Sequence, residues 1–285
     1  DPLEYEYWTC TTLAPGSTPG ATASPADTEM VVPIEQVDVP GQYGWVGGVE
    51  SSAGGGVYWF DRLRSFSEWR EPGILYAHPR MTEDYWGVIN HDNEVGVFRV
   101  ADSSVTPGLK FWTWGADSVG SNPEVPSDSR PYIELWAGHS LQFFNPAQLA
   151  GNETKTWTET YLPTVGLSEI TTVSESAAAH LWVLPEGATT RLTAEVFTAM
   201  PSLATEVTLW LDDGTERVLL EQSWVPDPTR AGIFTASVPS AMRTNSSVPA
   251  RHVPSAVLPT RRSARLAREP SMGSPRRSTA CLPSR

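Results

Sequence analysis

Cysteine is nearly missing from this chain: only Cys10 and Cys281, at opposite ends of 285 residues. Two thiols so far apart make no disulfide scaffold, and they read as unlinked. Long apolar runs are missing too. No stretch approaches the roughly 18–20 residues that cross a bilayer, so no membrane span is expected. Positive charge is in deficit, with 20 Lys and Arg against 33 Asp and Glu. The net charge of −13 argues against nucleic acid, whose phosphates it would repel. A Gly-rich phosphate loop, a paired Cys–His zinc spacing and a Gly-x-Ser-x-Gly elbow are all absent. Phosphoryl transfer, hydride transfer and serine hydrolysis lose weight accordingly, and no cofactor or metal is called for. The chain opens at Asp1-Pro2 without a signal peptide, as a mature form or one missing its leader would. Scarce lysine, abundant Trp, Thr, Ser and Gly, and a sequon at Asn152-Glu153-Thr154 fit a secreted or periplasmic protein.

Tryptophan is what the chain has in excess. Ten of its 12 tryptophans precede residue 183, several in short aromatic–acidic–basic clusters. These are Gly108-Leu-Lys110-Phe-Trp112-Thr-Trp114-Gly115, then Tyr132-Ile-Glu134-Leu-Trp136-Ala-Gly138-His139, then Trp157-Thr-Glu159-Thr-Tyr161-Leu-Pro163. Pyranose rings stack on flat aromatic faces, and their hydroxyls take charged or amide partners. The partner class this implies is a mono-, oligo- or polysaccharide.

Charge and composition divide the chain. Residues 241–285 hold nine arginines and one acid, Glu269, a net +8 that leaves −21 on the rest. That Arg/Ser/Pro-rich tail has no periodicity and is expected to be disordered; its residue usage differs from the body as a frameshifted gene end would. Residues 1–27 read as an N-terminal segment and flexible linker, Pro/Gly/Ser/Thr-rich from Leu13 to Asp27, so the expected body is 28–240. Inside it the hydrophobic period is two. Strands are expected over Glu29–Val37, Val57–Phe60, Ile74–Ala77, Trp86–Ile89, Val95–Val100, Tyr132–Ala137, Lys155–Leu162, His180–Val183 and Leu192–Phe197. Val207–Leu211 and Arg217–Leu220 flank Asp212-Asp213-Gly214, a hairpin signal. Short helices are expected only at Asp61–Trp69 and, for one turn, Glu175–Ala179. The expected fold class is all-β, an antiparallel β-sandwich.

From Tyr85 to Leu181 the chain resembles an uncharacterised mutarotase-like domain family found in bacterial proteins, often beside tetratricopeptide repeats. The resemblance is carried by Gly96-Val97-Phe98 leading to Ala101-Asp102, by Pro107 to Gly115, by Tyr132-Ile-Glu134 with Ala137-Gly138, and by Thr156-Trp157-Thr-Glu159 with Tyr161 and Pro163. It implies a galactose-mutarotase-like super-sandwich, two large antiparallel sheets with a sugar-sized cleft on one concave face. Two departures stand out: a short N-terminal part and the arginine tail.

Opening a sugar hemiacetal needs a base at the anomeric hydroxyl and an acid at the ring oxygen, roles that the resemblance implies for a glutamate and histidines. The candidates are Glu134 and Glu159 with His91 and His78. The two carboxylates would instead serve glycosidic cleavage if their separation suits it. On period-two strands Glu134 shares a face with Tyr132 and Trp136, and Glu159 with Trp157 and Tyr161. The bland alternative for each is a solvated outer face. His91 lies in an Asn/Asp-rich turn; Asp92, Asn93 and Glu94 beside it lack a full Ca²⁺-loop signature. Substrate-binding candidates are Trp112 and Trp114, which share a face with Lys110, then Trp136, Trp157, Tyr161, Arg80 and His139. The aromatics would otherwise be core, and His139 a satisfied structural histidine. Arg62, Arg64 and Arg70 would contact an acidic sugar or pair with neighbouring acids. Three readings follow: a sugar-processing enzyme acting at the anomeric centre, a non-catalytic carbohydrate-binding module, and an interaction domain whose aromatics are all core.

Overall fold

The structure, a computed structural model, describes residues 2–13, 27–40, 51–69, 73–113, 133–199, 205–212 and 216–239. In chain order the strands are β1 (Leu3–Tyr5), β2 (Trp8–Leu13), β3 (Thr28–Val31), β4 (Gln36–Asp38), β5 (Ser51–Gly54), β6 (Val57–Trp59), β7 (Gly73–His78), β8 (Tyr85–Asn90), β9 (Val95–Val100) and β10 (Gly108–Thr113). There follow β11 (Ile133–Gly138), β12 (Ala147–Leu149), β13 (Thr160–Val165), β14 (Thr172–Val173), β15 (Ala177–Glu186), β16 (Thr189–Thr198), β17 (Thr205–Asp212), β18 (Glu216–Trp224) and β19 (Gly232–Pro239).

They form a seven-stranded sheet in the order β2-β11-β10-β7-β4-β6-β5 and two four-stranded sheets, β13-β9-β8-β3 and β14-β15-β16-β19. Two-stranded pairs β1-β12 and β17-β18 complete the set, and every pairing is antiparallel. The protein is therefore an all-β antiparallel sandwich. Among the described residues no helix is long and apolar enough to cross a membrane.

Burial explains the layering. One face of the seven-stranded sheet supplies Val37, Leu75, Leu109, Phe111, Ile133 and Leu135, which pack on Met30, Trp86 and Val88 of the β13-β9-β8-β3 sheet. The other face of that middle sheet supplies Ile89, Phe98 and Leu162, packed on Val173, Ala178 and Phe197. The middle sheet is thus covered on both sides, which is why β8 reads Trp-Gly-Val-Ile without polar alternation. The β17-β18 hairpin covers the outer side of the third sheet through Val207, Leu209, Leu220 and Trp224. Burying each large side chain in this core stabilises it by roughly 1.5–3 kcal/mol.

The structure departs from the sequence reading at five places. The expected strand Lys155–Leu162 begins only at Thr160, as β13, so Trp157 and Glu159 lie in the extended connection ahead of it. Residues 3–13, drawn from composition as a segment ahead of the body, supply β1 and the edge strand β2. The expected strand Glu29–Val37 is two strands in different sheets, split where Pro33 supplies no N–H to a ladder. Asp61–Trp69 is two single 3-10 turns, Phe60–Arg62 and Phe66–Glu68. Phe60, Leu63, Phe66 and Trp69 recur every third residue and are all buried, which matches the three-residue period of a 3-10 turn. Glu175–Ala179 is not a helical turn, because β15 starts at Ala177. Ala178 pairs with Phe197 in the core, so tertiary packing overrides the helix preference of alanine. The 14–26 part of the linker, the Asp213-Gly214 turn, Arg70, Trp114, Tyr132, Cys281 and the arginine tail lie outside the described residues.

Candidate functional site

Alternation on β11 sends Ile133, Leu135 and Ala137 inward and Glu134 and Trp136 to the outer face of the seven-stranded sheet. Register then assembles that face. Trp136 stands opposite Lys110 on β10 and Cys10 on β2, and Glu134 opposite Trp112 and Thr12. Lys110 in turn stands opposite Tyr76 on β7, which pairs with Asp38 on β4.

The loop 139–146 lies across this face. It can do so because Gly108, paired with Gly138 at the ends of β10 and β11, has no side chain, while Gly138 lets the Tyr7-Trp8 backbone approach. A Cβ on Gly108 would stand 1.8 Å from the Ser140 carbonyl oxygen, and one on Gly138 would stand 2.3 Å from that of Tyr7. The loop brings Phe143 edge-on against Trp8, Tyr76 and Trp136 at centroid distances of 5.1, 6.3 and 5.5 Å. It also brings Gln142, whose Nε2 donates to Asp38 Oδ2 at 3.0 Å. His78 Nδ1 lies 3.0 Å from the same oxygen.

Lys110 sits beneath this cover. Its ammonium is 4.0 Å from the Trp136 ring centre, 4.3 Å from that of Phe143 and 4.0 Å from Glu134 Oε2. Trp136 Nε1 donates to the same Glu134 oxygen at 2.8 Å. Among the described residues Glu134 Oε1 has no hydrogen-bond partner, and the side chain is 22% exposed. A part-exposed carboxylate with one uncommitted oxygen, beside an ammonium and indole rings, can take a proton from a hydroxyl or accept its hydrogen bond.

Burial pulls the Lys110 ammonium down to about 8, against the opposing attraction of Glu134 and Cys10. Because the folded value lies below the ordinary 10.5, the folded state favours the neutral amine. Below pH 8 the buried charge destabilises the fold. As pH rises from 8 towards 10.5 the folded chain sheds this proton before the unfolded chain does, so stability rises. The expected gain of the native protein relative to Lys110→Met is up to about 3 kcal/mol across that window. Urea unfolding of both proteins at either end measures it. A difference that stays constant with pH would mean the amine is not desolvated.

Glu159 has a different setting. It faces into the space between the seven-stranded and middle sheets, at their edge. Its Oε1 accepts from Thr9 Oγ1 at 2.9 Å, Arg99 Nη2 at 3.0 Å and Trp157 Nε1 at 3.1 Å, and its Oε2 from the Tyr161 hydroxyl at 3.2 Å. Burial acts to raise its pKa, but the Arg99 guanidinium and these donors outweigh burial and hold the carboxyl below its usual range. Trp157 also packs at 4.4 Å on His139, whose ring lies against Tyr5 and Tyr7. His139 Nδ1 is 2.7 Å from the Tyr5 hydroxyl, while its Nε2 is buried without a partner among the described residues. Burial first, and then Lys155, push His139 towards the neutral form.

His91 belongs to a third cluster. Its Nε2 is 2.7 Å from Glu29 Oε2 and its Nδ1 3.1 Å from the Ser168 carbonyl oxygen. Glu29 also pairs with Arg64. The turn after it is shaped by Asn90, whose side-chain oxygen accepts from the backbone N–H groups of Asp92 and Asn93. No group of three His, Cys, Asp or Glu side chains among the described residues could hold a metal ion. Arg80 is exposed beyond β7 and has no ion-pair partner among the described residues.

The structure thus brings together Glu134, Trp136, Lys110 and Trp112, and puts His78 on the same sheet face. From a rise of about 3.3 Å per residue and about 4.8 Å between strands, Glu134 and His78 lie roughly 16 Å apart at Cα. Glu159, Trp157, Tyr161 and His139 form a separate cluster, and His91 a third. Sequence reasoning did not single out Phe143, Gln142 or Asp38. Only the Phe143-Phe144 pair left a signal, as two aromatics in a polar loop. A cleft of about 740 Å³ lies elsewhere, between the β3–β4 connection, the first 3-10 turn and Ile170-Thr171.

No family model matches the chain. A crystal structure of a TPR-domain-containing protein from Parabacteroides distasonis is similar over 57% of this chain, at 18% identity and a TM-score of 0.39. The match spans 25% of that protein's own length.

Proposed function

We propose that this protein is carbohydrate-active, that it is exported, and that it binds a saccharide on the outer face of its seven-stranded sheet, in a mutarotase-like variant of the sandwich. The observation that carries the reading is the Lys110–Glu134–Trp136–Phe143 cluster. An indole and a phenyl ring enclose a cation next to a carboxylate with an open oxygen, and Asp38, His78 and Gln142 add donors and acceptors beneath the same loop. Saccharides are bound through this combination of apolar ring faces and directed polar groups. In the enzymatic form of the proposal, Glu134 takes the proton of the anomeric hydroxyl. Lys110 holds compensating positive charge beside it.

A specific observation favours the alternative, a non-catalytic binding module. Glu134, Glu159, His91 and His78 do not converge on one point, and Glu159 has its hydrogen-bonding capacity directed to protein donors. The test is a saccharide binding screen with proton NMR of anomeric exchange and mass spectrometry of products. Binding with exchange or cleavage supports the enzyme, and binding without change supports the module. No binding to any saccharide would sink both forms and leave the aromatics as packing.

A further inference from the structure

Phe144 breaks two rules at once. Its side chain is 92% exposed, although phenyl rings are ordinarily buried. Its backbone sits at φ 63°, in the left-handed region that bulky side chains rarely occupy. The local reason is a tight turn, in which Asn145 N–H donates to the Gln142 carbonyl at 3.3 Å. Phe144 therefore holds the third position, where positive φ normally selects glycine or asparagine.

The turn is also anchored from outside. Phe144 N–H lies 3.3 Å from both carboxylate oxygens of Glu6, and Glu6 Oε1 also accepts from Trp8 Nε1 at 2.8 Å. One carboxylate thus fixes the exposed phenyl and the Trp8 indole together. Phe144 continues the aromatic row of the site, its ring centre 6.3 Å from that of Phe143, which packs on Trp136. Departures from local rules that the surroundings hold in place concentrate at functional positions.

We infer that Phe144 is a stacking platform for a further sugar ring, so that the preferred ligand is a glycan chain rather than a monosaccharide. This rests on the carbohydrate reading above. The ring that occupies the accessible Glu134–Trp136 edge of the site is followed by a second, which lies against the exposed phenyl. A chain therefore gains an apolar contact that a single sugar does not reach.

The test compares the native protein with Phe144→Gly, since glycine accepts φ 63° and keeps the turn, and with Phe144→Trp. Calorimetric titration uses xylotetraose, cellotetraose and mannotetraose against xylose, glucose and mannose, with thermal melting to verify folding. The expected result is a loss of about tenfold in tetrasaccharide affinity for Phe144→Gly, unchanged monosaccharide affinity, and recovery in Phe144→Trp. Equal losses for both ligand classes, or no loss for the tetrasaccharide, would overturn the platform. Native protein that binds monosaccharide and tetrasaccharide equally well overturns chain preference but leaves the carbohydrate reading standing. Native protein that binds none of the six overturns both.

Discussion

Replacing Glu159 with glutamine is expected to destabilise the fold by about 3–5 kcal/mol, the usual effect of leaving one partner of a buried ion pair uncompensated. Arg99 is only 3% exposed and Glu159 11%, and they meet at 3.0 Å between two sheets. Glutamine keeps the shape and can still accept from Thr9, Trp157 or Tyr161, so the change removes the charge and little else. The guanidinium then stays buried, with Thr106 Oγ1 as its other described acceptor and its Nε already without a partner among the described residues. A double replacement, Arg99→Met with Glu159→Leu, should recover much of the loss, because a well-packed apolar pair avoids the desolvation of both ions. Urea unfolding at neutral pH reads these effects. The sign with pH also follows. Glu159 has a folded pKa below its ordinary value, so its contribution is present above the unfolded pKa and fades as pH falls through the folded one. Glu159→Gln should therefore lose less stability on acidification than the native protein. A neutral-pH effect under about 1 kcal/mol would mean the pair is solvated.

Much of the sandwich was legible because antiparallel strands with one covered face alternate visibly. β11 is the clear case, since Glu134 and Trp136 fall opposite Ile133 and Leu135 in sequence and in space. The β17-β18 pairing was legible for the same reason, with Asp213-Gly214 between its strands. Where legibility failed, a long-range contact decided the outcome. β2 looks like a tail preceding a linker, yet its six residues pair with β11, 120 to 130 positions away. Nothing in Trp8–Leu13 alone encodes that partner. Likewise Pro33 announces a break in pairing, but not that the chain changes sheets there.

The site was legible by residue type and illegible by convergence. Trp157 and Glu159 meet just ahead of β13, outside any strand, while on β11 period-two arithmetic gives Glu134 its Trp136 contact. It does not say which side of a given strand meets another sheet. Glu134 faces away from the core and Glu159 towards it, so two motifs with the same local pattern end in opposite environments. Phe143 is not legible in the sequence because its place over Lys110 depends on the close approach of the loop over Gly108, a feature of backbone geometry.

Glu134→Gln should separate chemistry from packing and recognition. If the protein processes a sugar at the anomeric centre with Glu134 as base, the substitution removes the proton acceptor, and turnover should fall by about 10²–10⁴-fold. Stability should change by no more than about 1 kcal/mol, because the side chain is part-exposed and an amide oxygen still accepts from Trp136 Nε1. Lys110 loses its counter-charge, which is the larger of the two attractions opposing its burial, so its amine should titrate below 8 in the variant. Saccharide affinity should stay within a few-fold, since the aromatic contacts and the Asp38–Gln142 hydrogen bond are untouched. NMR anomeric exchange and calorimetry on one preparation read turnover and affinity together. Retained binding with lost turnover assigns Glu134 to chemistry. Lost binding with a native melting curve assigns it to recognition, and native turnover in the variant removes it from the mechanism. Paired with Glu159→Gln, the measurement has a built-in contrast: one carboxylate should change activity without stability, and the other stability first.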